Sequence, residues 1–298
     1  MAQRFFSGRE SWVFRAQDLD ELCGFHPELV AGALEAEERI HYLLYSPLRE
    51  TTTGPFGNHG PSGSHALVLT GARAIISCDS HAQDGSRTVC AVPYRDIFSV
   101  ELGEALTLGW LVFRYAAAGA VASETVFFQS TGIDLFRMAI RIVRGRETLA
   151  VPAPAADAER HPSLAQAPAY LRSQLLPVLL EGERVQAVVH TVQQWRTARG
   201  RRPSCIIPDQ LCVVSEQSLV IAESERPHRP GALAFAVRTT CVDRRVVRRA
   251  AVAHGADYPD LGALVLELAC GGGRCQFTCL ADGPAAHGLR EALIRAAG

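Results

Sequence analysis

The sequence predicts a mainly β chain with capping helices: two domains in tandem, each a barrel of seven antiparallel strands closed by a C-terminal helix. Three observations predict it. Leu34–Phe98 recurs in register 145 positions later, short apolar runs follow one another with turn residues between them, and each series of runs ends in a segment of helical period. In the repeat, Leu34, Glu38, Arg39 and Ile40 map onto Leu179, Glu183, Arg184 and Val185. Thr70, Ile75 and Ile76 fall on Ser215, Val220 and Ile221, and Val92 and Ile97 on Val237 and Val242. A period this long is a whole domain and not a solenoid unit. The chain therefore divides into an N-terminal extension 1–33, a first domain 34–146, a linker 147–169 and a second domain 170–298.

Each element has a local reason. Pro27–Glu37 has the composition of a short helix with proline in its first turn. Strands are expected at Arg39–Tyr45, His65–Thr70, Ala74–Cys78, Arg87–Val92, Ile97–Leu102, Leu108–Tyr115 and Thr125–Gln129, because β-branched and aromatic residues alternate or cluster there. Thr70-Gly71, Asp84-Gly85, Gly103 and Gly119 mark the turns. Ile133, Phe136, Ile140 and Val143 repeat near every 3.6 residues and stop at Gly145, which predicts an amphipathic helix with a glycine cap. Prolines 152, 154, 162 and 168 among alanines make Glu147–Ala169 a linker without an element of its own. The second half repeats the order: a helix near Tyr170–Leu180, strands at Arg184–Val192, Leu211–Val214, Leu219–Ala222, Leu233–Val237, Val242–Val252, Leu264–Ala269 and Cys275–Leu280, and a closing helix Ala285–Ala297. Gly271-Gly272-Gly273 is read as its last hairpin turn.

Composition narrows the function classes. The chain has 298 residues and a net charge of −1; all 30 of its basic residues are arginine, as in proteins of GC-rich genomes. Residues 1–150 carry 13 arginines against 17 acids, and residues 151–298 carry 17 against 14. Near-neutral overall charge and basic runs without interleaved aromatics argue against nucleic acid as the partner. No run approaches the 18 apolar residues of a membrane span, and the N-terminus lacks a signal-like apolar core, so a cytoplasmic chain is expected. Nine scattered cysteines suit reduced, buried thiols.

The order of motifs resembles the pleckstrin-homology-like superfold, in particular the bacterial PH-like and GRAM-like domains. Glu38-Arg39-Ile40 resembles the start of its first strand, Leu67–Ile76 its threonine- and arginine-bearing hairpin, and Val92-Pro93-Tyr94-Arg95-Asp96-Ile97-Phe98-Ser99-Val100-Glu101 its Pro-Tyr-led strand segment. The second copy departs from it, with Ser215 for Thr70, Ser218 for Arg73 and Arg238-Thr239 in the register of Pro93-Tyr94. The resemblance implies two crossed sheets whose open end is plugged by the last helix, here through Phe136 and Ile140 or Leu289 and Leu293. It also implies binding of lipid headgroups or peptides, or self-assembly.

Two arginine clusters are the candidate sites. Trp195, Arg196, Arg199, Arg201 and Arg202 fall in the connection after the first strand of the second domain, where phosphoinositide-binding members of the superfold carry their basic residues. An indole among guanidiniums is an interfacial composition. Arg244, Arg245, Arg248 and Arg249 alternate in pairs with valines, so on one continuous strand neither face is purely basic, which suits a charged edge strand. The matching connection of the first domain, Thr51–Ser64, has no arginine; His59, Ser62 and His65 could suggest a nucleophile and base, but a glycine-rich loop is a poor scaffold for them. Cys270, Cys275 and Cys279 lack the spacing of a structural zinc site. The expectation is thus a non-catalytic protein without metal or cofactor, acting through protein contact or self-association, with attachment to an anionic membrane through Trp195–Arg202 as the alternative.

Overall fold

The computed structural model describes residues 12–47, 63–79, 87–145, 161–196, 203–227, 236–255, 258–270 and 273–295. The chain is mainly β and separates into two compact units: Met1–Tyr94, Glu104–Phe113 and Ser123–Pro152 in one, Arg95–Gly103, Arg114–Ala122 and Ala153–Gly298 in the other. No helix of the described residues is long and apolar enough to cross a membrane.

The first half runs through β1 (Phe14–Arg15), α1 (His26–Ala33), β2 (Ile40–Ser46), β3 (His65–Thr70), β4 (Arg73–Asp79) and β5 (Arg87–Pro93). A 3₁₀ turn, Tyr94–Asp96, leads into β6 (Ile97–Ala105), β7 (Leu108–Ala117), β8 (Ala120–Gln129) and α2 (Ile133–Arg144). Strands β1 to β5 form an antiparallel meander in chain order. Every residue of β3 is buried, as expected of a central strand covered on both faces. One face packs Leu43, Tyr45, Ala66, Val68 and Ile75 beneath Val30 of α1. On the other side, Tyr42 donates its hydroxyl to the Leu135 carbonyl of α2 at 3.1 Å, and Ser46 donates to the Phe127 carbonyl of β8 at 2.7 Å. Ala118 and Gly119, both at positive φ, give the β7–β8 hairpin a turn whose twist matches its strands.

The second half begins with α3 (Pro162–Ala165), α4 (Ala169–Leu175) and β9 (Val185–Thr191). A short hairpin of β10 (Gln194–Arg196) and β11 (Ser204–Ile207) precedes β12 (Gln210–Ser215), β13 (Ser218–Ser224) and β14 (Ala236–Asp243). The 3₁₀ turn Arg244–Val246 then leads to β15 (Val247–Gly255), β16 (Tyr258–Cys270), β17 (Gly273–Asp282) and α5 (Gly283–Arg295). Leu289 and Leu293 of α5 enter a core with Cys212, Val214, Ile221, Leu264, Leu266 and Leu268. The helix lies so close to β16 that a Cβ on Gly262 would stand 2.8 Å from that of Ala286.

Both halves thus have the expected order of seven strands and a helix, with β1 and the β10–β11 hairpin added. The starts of β2, β3 and β4 recur 145 residues later in β9, β12 and β13. From β5 onward the offset is 150, apart from β8 and β17, which stand 153 apart, so the register read from sequence fails there: Val92 corresponds to Val242, Tyr94 to Arg244 and Ile97 to Val247. The change falls between β4 and β5 of the first copy and between β13 and β14 of the second, where an ungapped comparison cannot follow it. The two copies use the shifted position alike. Tyr94 donates its hydroxyl to the Thr70 carbonyl at 2.9 Å, and Arg244 donates to the carbonyl of Ser215, the equivalent of Thr70. The carboxylate at the head of each repeat diverges. Glu38 takes Arg73 and Thr70, which hold it down to about pH 2, arginine first, while Glu183 takes the hydroxyls of Ser215 and Ser218.

Four expectations need correction. The strands lie in four sheets, and no sheet closes into a barrel among the described residues; among the orders are β1-β2-β3-β4-β5, β10-β11 and β15-β16-β17, and β14, β13, β12 and β9 are neighbours in a further sheet. Gly103 lies inside β6, and the turn is made by Leu106 at φ 52°, because a glycine weakens a strand without ending it. Val242–Val252 is not one strand but is broken by the 3₁₀ turn. Within the expected linker, Pro162–Ala165 is helical and buries Leu164; residues 146–160 lie outside those described.

Candidate anion-binding groove

The 3₁₀ turn, the first residues of β15 and the last turns of α5 enclose a groove of about 620 Å³ lined by Arg244, Arg245, Arg248, Arg249 and Arg290, with Glu216 the one carboxylate among the described lining residues. Val247, Ala250, Leu293 and Ile294 supply its apolar wall. Asp243 makes the turn: its side chain accepts from the Arg245 backbone N–H at 2.9 Å and from Arg245 Nε at 3.1 Å. Arg244 is thereby directed inward, only 9% exposed, and donates to Gln186 Oε1 at 2.8 Å, to the Ser215 carbonyl and to the Leu293 carbonyl at 3.2 Å. Leu293 lies in the last turn of α5, where unpaired carbonyls favour a cation. Burial pulls the Arg244 pKa down and Glu216 opposes that pull; a guanidinium stays charged regardless.

Beyond the turn, the β15–β16 register jumps from Val247↔Leu268 to Arg249↔Glu267, leaving Arg248 as the extra residue of a bulge. A bulge re-aims side chains, and both Arg248 and Arg249 line the groove. The strict alternation assumed from sequence is broken twice in six residues, so the arginines converge instead of dividing between two faces. Arg249 is 3.4 Å from Glu267, while Arg248 is exposed and makes no ion pair among the described residues. Arg290, which sequence reading missed, enters from α5 and places Nε 3.3 Å from the Ala250 carbonyl. Its only signal was its place on the closing helix, beside Leu289 and Leu293.

Arg244 is therefore the floor of the groove, and Arg245, Arg248, Arg249 and Arg290 line it around that floor, Arg245 paired with Asp243 and Arg249 with Glu267. Arg244→Ala should lower stability by about 1–3 kcal/mol, because it leaves the Ser215 and Leu293 carbonyls without their buried donor. Arg248→Ala should leave stability unchanged within about 0.5 kcal/mol. Urea denaturation of both variants checks the contrast; equal losses would show that Arg244 has no special structural place.

The other candidates fare differently. Trp195 and Arg196 sit on β10, where Trp195 is half-buried opposite Cys205 and Arg196 is exposed; Arg199, Arg201 and Arg202 lie outside the described residues. Neither Trp195 nor Arg196 lines the groove. His59 and Ser62 also lie outside the described residues. His65 is buried 3.3 Å from the Cys78 thiol; burial pulls the imidazole down to about 4 and pushes the thiol up to about 11, the reverse of an activated nucleophile. Cys279 is a core residue beside Cys212, and no group of three metal-ligating side chains occurs among the described residues. Comparison of the sequence with protein-family models and with curated proteins finds no match.

Proposed function

We propose that this chain is a non-catalytic binding protein of tandem PH-like organisation that associates with a protein partner by seating a carboxylate-rich segment in the arginine groove. The single observation that carries the reading is the convergence of five guanidiniums on one groove, two of them paired with Asp243 and Glu267, with Glu216 the single carboxylate among its described lining residues. Arginine forks pair carboxylates bidentately, and a pinned Arg244 lowers the entropy cost of presenting the others. The apolar wall, with Ile294 exposed, favours a peptide carrying both acidic and aliphatic side chains over a bare ion. PH-like organisation is supported by the recurrence of seven strands and a helix, and by the matched use of Tyr94 and Arg244. Attachment to an anionic membrane is the weaker reading, since the half-buried Trp195 has less indole to insert.

The test is a fluorescence-anisotropy titration of a labelled hexaglutamate peptide with the full chain, alongside flotation with phosphatidylserine vesicles. Peptide binding is expected at low salt, weakened at least tenfold by Arg248→Glu with Arg249→Glu, equivalent to about 1.4 kcal/mol or more. It should weaken further as salt shortens the screening length from about 30 Å to about 8 Å. Vesicle binding without peptide binding would replace this reading with the membrane one.

A further inference from the structure

We infer that the partner seated in the arginine groove is a second copy of this chain, docked head to tail through its acidic stretch Asp18–Glu38. This rests on the acidic-partner reading above and names the partner. The stretch carries Asp18, Asp20, Glu21, Glu28, Glu35, Glu37 and Glu38 and no arginine. It folds as the 3₁₀ turn Leu19–Glu21, α1 and the connection into β2, and it leaves Asp18, Asp20, Glu28, Glu35 and Glu37 exposed. Some of these carboxylates have local duties: Asp18 caps the backbone N–H of Glu21, and Glu35 and Glu38 hold Arg73. Asp20, Glu28 and Glu37 make no ion pair among the described residues and are the groups available to a partner.

Comparison of the two repeats shows that neither charge cluster is required by the architecture. The stretch equivalent to the acidic one, Ser163–Glu183, has only Glu181 and Glu183 as acids, with Arg172. At the 150-residue offset, the groove arginines 244, 245, 248, 249 and 290 correspond to Tyr94, Arg95, Phe98, Ser99 and Ile140, of which one is basic. From one repeat to the other the same fold has gained acids at one place and arginines at another, and the two sets are complementary. Because the two faces differ, the contact is heterologous: a copy bound through its groove still offers its acidic face, so association propagates beyond the dimer.

The experiment is sedimentation velocity on the full chain and on two charge-reversed forms, Arg248→Glu with Arg249→Glu, and Asp20→Arg with Glu28→Arg. All four positions are exposed, and melting curves check the folds. At about 50 µM protein and about 20 mM salt the wild type should sediment as oligomers, and at about 0.5 M salt as a monomer. Each reversed form alone should be monomeric. Their equal mixture should associate again, because the intact groove of one meets the intact acidic face of the other and the two reversed surfaces complement each other. A variant that does not fold is replaced by its neutral counterpart, Arg248→Ala with Arg249→Ala or Asp20→Asn with Glu28→Gln. A wild type that stays monomeric at low salt yet binds hexaglutamate overturns self-assembly and leaves the acidic-partner reading standing; failure of both removes both. A mixture that stays monomeric, or single forms that still associate, overturns the head-to-tail contact.

Discussion

Truncation of Phe136 to alanine is expected to lower stability by about 3–5 kcal/mol, the range for emptying a fully buried aromatic site. The ring is 0% exposed on α2 and stacks on Phe128 of β8 with centroids 3.7 Å apart and planes at 13°. The Phe128 ring lies across β7 at Gly109, where a Cβ would stand 2.2 Å from the ring, so the site is filled from both sides. Loss of Phe136 removes its own burial and about 1 kcal/mol of ring pairing as well. Urea denaturation followed by circular dichroism measures the effect; an unchanged midpoint would show that α2 is docked without this ring.

Acid should destabilise the fold through two buried histidines, His26 and His65, each held at a pKa of about 4. Burial is the main cause for both, and the His65 and Arg87 charges add to it at His26. His26 is enclosed further by Ser77 at Nδ1 and by Ser64, 2.9 Å from Nε2. Since both folded-state values lie below the unfolded value near 6.5, the unfolded chain binds more protons between the two limits. Their contribution is present in full above pH 6.5 and is lost as pH falls through about 4, on the order of 3 kcal/mol per histidine at most. The loss from Glu38, held near 2, comes lower and is separable. Stability measured from pH 7.5 to 4 in wild type and in His65→Gln should show a shallower fall in the variant. Identical slopes would remove His65 from the account.

Sequence was informative wherever a single local rule decided the outcome. β2 to β4 were legible because their apolar runs end at turn residues, and α2 because its 3.6 period ends at Gly145. It misled where a local rule was broken by geometry that no residue type announces. Gly103 looks like a turn but is held in β6, and the five-residue change of offset is invisible to an ungapped register. The groove is the clearest case. Arg244, Arg245, Arg248 and Arg249 were legible as a basic cluster, but a 3₁₀ turn and a bulge had to cancel the alternation before they could converge. Arg290 reaches them from an element that begins 28 residues after β15 ends, a proximity set by the packing of α5.

The central claim is that Arg245, Arg248, Arg249 and Arg290 receive an acidic partner while Arg244 only supports them. The most direct measurement is NMR of the arginine Nε–Hε and tryptophan indole resonances during titration with hexaglutamate. The account predicts shifts at those four arginines, a smaller change at Arg244 and none at the Trp195 indole. Shifts confined to Trp195 and Arg196, with the groove arginines still, would contradict it.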